Sequence, residues 1–150
     1  MIVYTDGSAH PNPGPGGFGV VVLTDQEEEI TRYAKHCDKT TNNREELRAI
    51  LWTLLNCGRP SVKENVVVYS DSAYAINCLT IWRYTWERNG WVKGDGQVPE
   101  NIDLIKAFHL LWNDGYRIEL RKVHGHSGNK WNELADKLAR TVGGKEKNGD

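Results

Sequence analysis

The 150-residue sequence lacks a long hydrophobic run and lacks an excess of charge of either sign. No stretch approaches the roughly 18 apolar residues that a membrane helix requires. The N-terminal segment, Met1 to Asp6, lacks the basic, apolar and small-residue order of a signal peptide. We therefore expect a cytoplasmic protein with no membrane partner. The net charge of −1 gives no global sign of nucleic-acid binding, so any such function must depend on local groups of residues.

Cysteine is also scarce. Cys37, Cys57 and Cys78 form an odd set without CxxC spacing. This pattern argues against a disulfide framework and against a structural zinc site. We expect the three thiols to serve as small buried side chains.

The remaining composition is that of an ordinary globular domain, with 39% hydrophobic and 26% charged residues. A chain of this length buries roughly two thirds of its unfolded surface when it folds as one domain. No linker or repeat interrupts the sequence before residue 143. We expect one domain over residues 1–142, a flexible tail over residues 143–150, and a monomer.

The hydrophobic pattern predicts strands first and alternating helices and strands later. Predicted strands cover residues 2–5, 18–23, 30–36, 66–69 and 117–123. The first predicted helix begins near Asn42 and Asn43, either of which is placed to cap it. Further helices are predicted over residues 73–79, 99–112 and 130–142. Short turns between the first three strands favour an antiparallel meander, and helical crossovers add parallel strands. The result is an α/β fold, a mixed sheet with helices on both faces.

Four acidic residues lie in unusual positions. Asp6 ends the first predicted strand and Asp71 ends the central one, and sites in open α/β sheets form outside the carboxyl ends of strands. Glu46 lies in a first helical turn at the edge of the apolar stripe, and Asp136 lies beside small Ala135 on the last helix. Singly, each has a structural explanation, as a turn former or as a charge that favours the helix dipole.

Together, the four carboxylates predict a metal site. Carboxylates within about 4–6 Å of one another repel and raise one another's pKa values. Divalent cations keep them ionised, and ligand sets made only of oxygen select Mg²⁺ or Mn²⁺. Two such ions clamp the attacking and leaving oxygens in phosphoryl transfer.

Several motifs in this sequence resemble those of type 1 ribonuclease H. They are Asp6-Gly7-Ser8, NPGPGGFG at 12–19, TTNNREEL at 40–47, Ser70-Asp71-Ser72, GHSG at 125–128 and NELAD at 132–136. They occur in the family's order and spacing and cover essentially the whole chain. The resemblance implies a ribonuclease H-like fold with a five-stranded mixed sheet and a tryptophan-rich handle, here around Trp82, Trp86 and Trp91.

The resemblance also implies an activity, the endonucleolytic hydrolysis of the RNA strand of RNA–DNA hybrids to 5′-phosphate and 3′-hydroxyl ends. It implies two Mg²⁺ ions, with Mn²⁺ as a possible substitute. Asp6 would bridge both ions, Glu46 and Asp71 would complete one ion's ligands, and Asp136 would hold the other. His126 matches a loop histidine that assists proton movement or product release. His124 competes for this role, but the spacing of ten residues to Asp136 favours His126.

By the same resemblance, a set of polar and aromatic groups would contact the hybrid. The predicted substrate-binding residues are Gly7, Ser8, Asn12, Thr41, Asn42, Asn43, Arg44, Trp82 and Asn132. The glycines at 14–19 are expected to form a loop close to the sheet. Arg44 has an alternative role as an ion-pair partner of Glu45 or Glu64. Arg83 is counted among the basic residues of the handle, which are outnumbered by acidic ones.

Two other functions fit the sequence. One is a non-cleaving nucleic-acid-binding module on the same fold, which loss of metal ligands would mark. The other is a related nuclease domain of a virus or mobile element, against which the intact loop and handle argue.

Overall fold

A five-stranded sheet lies at the centre of the protein in its computed structural model. The structure describes residues 1–123 and 129–147, with side chains as far as residue 142. The strands are β1 (Ile2–Ala9), β2 (Gly14–Leu23), β3 (Glu29–Thr40), β4 (Val67–Ser70) and β5 (Glu119–Lys122). Their order across the sheet is β3-β2-β1-β4-β5. β1, β2 and β3 form an antiparallel meander, while β4 lies parallel to β1 and β5 parallel to β4. The predicted mixed α/β sheet is confirmed.

Helices connect the later strands. In the described part of the chain they are α1 (Asn42–Cys57), α2 (Ala73–Asn77), a π-helical segment (Cys78–Trp82), α3 (Arg83–Arg88), α4 (Ile102–Asn113) and α5 (Lys130–Lys147). The predicted cap of α1 at Asn42 or Asn43 was wrong. Thr41 has extended backbone angles, and its hydroxyl accepts a hydrogen bond from the Arg44 amide at 3.1 Å. The last helix continues five residues beyond its predicted end at Val142.

The sheet separates two apolar cores. On one face, Val3 and Val20 pack with residues of α1 and α4, including Leu47 and Phe108. On the other face, Tyr4, Val21 and Leu23 pack with Ala135 of α5 and its neighbours. Alternate residues of β1 and β2 thus enter opposite cores, as the two-residue period of a strand requires. Because both faces of the sheet are covered, polar side chains can gather where the strands end, beyond the paired segments of the parallel strands β1 and β4.

The glycine-rich segment at 14–19 is part of β2, so its prediction as a loop was wrong. Glycine occupies these strand positions because neighbouring backbone atoms approach them too closely for a side chain. A Cβ atom on Gly19 would lie 2.6 Å from the Ala135 carbonyl oxygen of α5. The absence of side chains therefore allows α5 to lie directly on β2, which fixes where α5 presents Asp136.

Cys57 and Cys78 are buried, Cys37 is partly exposed, and all three are free thiols. The expectation of buried cysteines therefore holds for two of them. In residues 1–123 and 129–147, no helix has the length and apolarity needed to span a bilayer.

Candidate functional site

Asp6 and Asp71 lie side by side because β1 and β4 are parallel. The register pairs Tyr4 with Tyr69, and each acidic residue follows its tyrosine by two positions. The expectation that Asp6 ends β1 was wrong, because pairing with β2 continues to Ala9. Parallel pairing with β4, however, stops at Tyr4. Asp6 therefore lies where its neighbouring strand ends, and the predicted proximity of the two acids is confirmed.

Glu46 enters the same place from the first turn of α1. It is 6% exposed, and its Oε1 atom is buried without a hydrogen-bond partner among the described residues. Its neighbour Glu45 is fully buried but satisfied, since it accepts hydrogen bonds from Thr40 Oγ1 at 2.7 Å and Arg48 Nη1 at 3.1 Å. Glu45 thus anchors α1 to β3, whereas Glu46 has one carboxylate oxygen that lacks a partner.

Asp6, Glu46 and Asp71 form a compact acidic cluster. One carboxylate oxygen from each lies within 4.8 Å of the others, and Asp71 is the exposed member. Asp136 of α5 lies near enough to this cluster for its carboxylate to raise the pKa of Asp6. Its side chain is 42% exposed and accepts a hydrogen bond from Arg140 at 3.0 Å. The structure therefore gathers three of the four predicted acids tightly and places the fourth beside them.

Burial and mutual repulsion alter the protonation of this acidic cluster. Burial raises the pKa of Asp6 to about 7, opposed by a hydrogen bond from Glu46 and reinforced by the charges of Asp71 and Asp136. The pKa of Glu46 is raised well above its usual value, first by burial and then by the charge of Asp6. Without a cation, the cluster therefore retains protons near neutral pH. The unpartnered Glu46 oxygen and the crowded oxygens fit a divalent cation, which would take the place of these protons.

A pH dependence of stability follows. In the metal-free protein, the unfolded chain releases the Asp6 proton near pH 4, whereas the folded protein holds it until about pH 7. Stability should therefore fall as pH rises through this window. We expect Asp6→Asn to be more stable than wild type by about 2–4 kcal/mol at pH 8 in chelator, from about 1.4 kcal/mol per pKa unit. The difference should shrink toward pH 4. Urea unfolding at several pH values measures it, and parallel profiles for the two proteins would contradict the burial argument.

The predicted substrate-binding asparagines are tied to one another. Asn42 Oδ1 accepts a hydrogen bond from the Ala9 amide at 2.6 Å, and Asn12 Oδ1 accepts one from the Asn42 amide at 3.1 Å. These bonds join β1, the β1–β2 connection and the start of α1. Asn43 is exposed beside them. The polar groups form a braced, accessible edge next to the acidic cluster.

Arg44 forms an ion pair that the sequence did not indicate. Its Nη2 lies 2.6 Å from Asp103 Oδ2, and its Nη1 lies 3.0 Å from Asp103 Oδ1. The expected alternative partners were wrong, because Glu45 binds Arg48 and Glu64 binds the Met1 amino group. Asp103 raises the pKa of Arg44, and Arg44 lowers that of Asp103. The pair joins the N-terminal turns of α1 and α4.

The tryptophan-rich segment combines packing with exposure. Trp86 and Trp91 pack against the core, whereas Trp82 is 38% exposed, with its ring centroid 5.9 Å from that of Trp86. Trp82 is therefore an accessible flat surface at the end of the π-helical segment. Arg83, counted with the basic residues of the handle, is instead buried at 2% exposure. Its charge faces inward and does not contribute to the handle's surface.

Asn132 lies on α5 one turn before Asp136, and its Oδ1 atom is buried without a partner in the described part of the molecule. Asn129, which sequence reasoning missed, accepts hydrogen bonds from the amides of Trp131 and Asn132 and so caps the helix. Its type and place just before an apolar stripe were the available signal. His124 and His126 lie outside the described residues.

Comparison with known proteins agrees with this geometry. The family model described as RNase H matches residues 1–143. A ribonuclease H from Syntrophomonas wolfei is 40% identical over 146 residues, covering 95% of this chain and 94% of that protein. A ribonuclease HI from Haemophilus ducreyi is 39% identical over 140 residues, with 92% and 86% covered. The chain belongs to the RNase H family.

Solved structures show the same fold. LC11-RNase H1, solved in complex with an RNA/DNA hybrid, aligns with a TM-score of 0.70 and 26% identity, covering 97% of each chain. A foamy viral protease–reverse transcriptase in complex with double-stranded DNA aligns with a TM-score of 0.82, covering 95% of this chain and 92% of that one. At 21% identity, the viral likeness concerns the fold alone. The predicted family and five-stranded architecture are confirmed.

Proposed function

We propose that this protein is an endonuclease that hydrolyses the RNA strand of RNA–DNA hybrids and leaves 5′-phosphate and 3′-hydroxyl ends. The observation that carries the proposal is the acidic cluster at the end of the parallel β1–β4 pairing, in a chain of the RNase H family. The name of the Syntrophomonas relative and the hybrid bound to LC11-RNase H1 support it.

Two Mg²⁺ ions, with Mn²⁺ as a substitute, are the proposed cofactors. Asp6, Glu46 and Asp71 supply oxygens within 4.8 Å of one another, and Asp136 supplies a further carboxylate beside Asp6. When bound, such ions neutralise phosphate charge and lower the pKa of water. Mg²⁺ keeps several waters and needs only a few protein carboxylates, which suits a cluster with one buried and one open side.

Within this site, the chain's residues have distinct tasks. Asp6 is central, since both Glu46 and Asp136 interact with it. The buried Glu46 fixes one side of the site, because α1 is anchored by Glu45 and cannot shift independently. Asp71, being exposed, is reached first from solvent. The raised pKa values of Asp6 and Glu46 mean that cation binding must release protons, so affinity for the cation should increase with pH.

Recognition of the hybrid is proposed to use the edge beside the acidic cluster. The exposed amide of Asn43 and the braced Asn12–Asn42 pair offer donors and acceptors to sugar hydroxyls and to base edges in the minor groove. Trp82 offers a flat apolar surface to a deoxyribose. Thr41 and Arg44 are proposed to hold a phosphate of the DNA strand. For Arg44 this requires exchange of the Asp103 carboxylate for the phosphate.

His126 is proposed to assist proton movement or product release. We expect His126→Ala to slow steady-state cleavage about 10²-fold, the scale of general acid–base contributions, without changing affinity for the hybrid. His124→Ala is the matched control and should retain near wild-type turnover. Steady-state assays on both variants test the assignment, and full activity in His126→Ala would remove that residue from the mechanism.

The proposed function is tested with end-labelled RNA–DNA, RNA–RNA and DNA–DNA duplexes of one sequence, each incubated with Mg²⁺ or with chelator. We expect cleavage of the hybrid alone, in its RNA strand, and only with Mg²⁺. Binding of all duplexes without cleavage would instead identify a non-cleaving nucleic-acid-binding module. The monomeric state and cytoplasmic location stay predictions.

A further inference from the structure

Arg83, the first residue of α3, is a buried cation that the proposed nuclease function does not use. It is 2% exposed. Its Nε donates a hydrogen bond to the Leu79 carbonyl, its Nη1 lies 2.8 Å from His109 Nδ1, and its Nη2 donates to the Tyr84 hydroxyl at 2.7 Å. A guanidinium has five N–H groups. These three hydrogen bonds leave two of them without a partner among the described residues.

The charge of Arg83 is not matched by a nearby carboxylate. In the part of the chain with described side chains, no acidic group lies within 4.0 Å of Arg83. Aromatic rings surround it instead, with centroids 4.1 Å away at Tyr84, 5.2 Å at Phe108 and 5.0 Å at Trp112. A second guanidinium, that of Arg117, lies 4.3 Å from the Trp112 ring. An unpaired buried ion is costly to a fold, so this is a place where an anion would be stabilising.

His109 is a neutral partner of Arg83 and does not balance its charge. Burial lowers its pKa, and the positive charge of Arg83 lowers it further. The imidazole is therefore neutral near pH 7 and accepts a hydrogen bond at Nδ1. Burial and the charge of Arg117 likewise lower the pKa of Arg83, against the effect of Tyr84.

A cavity of about 140 Å³ adjoins Arg83. Leu79, Phe108, Trp112 and Ile118 provide much of its apolar wall, and Arg83 is the one charged residue among those that line it. Its volume is close to the roughly 150 Å³ of an apolar cavity that was engineered in another protein and that accepts benzene. The cavity thus combines room for one small ring with a single buried cation.

We infer that this cavity binds a small organic carboxylate with an aromatic or compact aliphatic body. Its carboxylate oxygens would accept hydrogen bonds from the two free N–H groups of Arg83, and its body would contact Phe108, Trp112 and Ile118. An ion pair with bidentate geometry is the strongest interaction that a guanidinium offers a carboxylate. The inference is independent of the nuclease function, since it involves none of the residues proposed for cleavage.

Benzoate is the probe for this site. Titration of wild-type protein is followed by ¹H–¹⁵N NMR at the Trp112 indole and the Arg83 Nε–H. We expect saturable shifts at both groups, at least roughly tenfold weaker binding of neutral benzyl alcohol, and little effect of formate, which lacks the ring. Equal affinity for benzoate and benzyl alcohol, or shifts that grow without saturation across the whole surface, would overturn the inference.

Two variants test the role of the cation and of the space. Arg83→Met should weaken benzoate binding at least roughly tenfold, while Arg88→Met, which removes an exposed arginine from the same helix, should leave it unchanged. Thr80→Phe, at an exposed lining residue, should reduce binding by filling the cavity and so tests the site even if Arg83→Met does not fold. Wild-type affinity in folded Arg83→Met, or undiminished Trp112 shifts in Thr80→Phe, would contradict the proposed site.

Discussion

Replacement of Asp6 by asparagine should reduce cleavage of an RNA–DNA hybrid by about a thousandfold or more. The expected cause is loss of the charge at the centre of the acidic cluster, where Asp6 interacts with Glu46, Asp71 and Asp136. A bound divalent cation contributes several kcal/mol of transition-state stabilisation, and about 4 kcal/mol corresponds to a factor of a thousand if the variant no longer holds the cation. The fold should survive, because asparagine Oδ1 can still accept the hydrogen bond from the Gly7 amide that Asp6 accepts at 2.9 Å.

The matched control is Glu28→Gln, which removes an exposed carboxylate in the β2–β3 turn, beyond the opposite end of β1. It should cleave at the wild-type rate. Both proteins are assayed at saturating Mg²⁺, after circular dichroism has shown that each is folded. Substantial cleavage by folded Asp6→Asn, purified free of host nuclease, would remove the acidic cluster from the mechanism.

Gly7→Ala should disrupt both the fold and the site. A Cβ atom at residue 7 would lie 2.2 Å from the Glu46 amide nitrogen and 2.3 Å from the Glu45 carbonyl carbon. Both are backbone atoms of a helix, so α1 would have to move away from β1. Overpacking of this kind typically costs about 1–3 kcal/mol. Because both of the atoms that the Cβ would meet are backbone atoms, which cannot turn aside, we expect the free energy of unfolding to fall by about 3 kcal/mol.

Because α1 carries Glu46, the same displacement should weaken cation binding and cleavage in molecules that remain folded. Gly94→Ala is the control, since a Cβ atom there meets nothing within 4 Å. Urea unfolding and hybrid cleavage at low temperature measure the two effects. A Gly7→Ala protein with wild-type stability and wild-type activity would show that close contact between β1 and α1 is not required.

The meeting of Asp6 and Asp71 could be predicted from sequence because it depends on local patterns. Each acid follows a short apolar strand, and parallel strands present their carboxyl ends at one edge. The exact end of β1 was missed because β2 extends it, and a strand's length depends on its partner. Residues 14–19 form part of a strand and not the expected glycine loop for a related reason. In a local sequence window glycine indicates a turn, whereas Gly19 is needed because the backbone of α5 lies against it.

Other features depend on contacts between distant parts of the chain. Nothing local distinguishes Arg44's partner Asp103, 59 residues away, from the nearer Glu45. The burial of Arg83 likewise arises from α4, whose Phe108, His109 and Trp112 side chains lie against it, so a residue that resembles a surface base in the sequence becomes part of the interior. Glu45 and Glu46 are adjacent and chemically alike. Only the fold shows that Thr40 and Arg48 satisfy the carboxylate of Glu45, while the Oε1 atom of Glu46 is left without a partner among the described residues.

The most direct test of the acidic cluster is a crystal of the protein soaked in Mn²⁺, with an anomalous difference map calculated at the manganese edge. We predict a peak bounded by the carboxylates of Asp6, Glu46 and Asp71, which lie within 4.8 Å of one another. The peak should vanish in Asp6→Asn. A map that shows manganese elsewhere on the molecule but none among these three side chains would contradict the proposed metal centre.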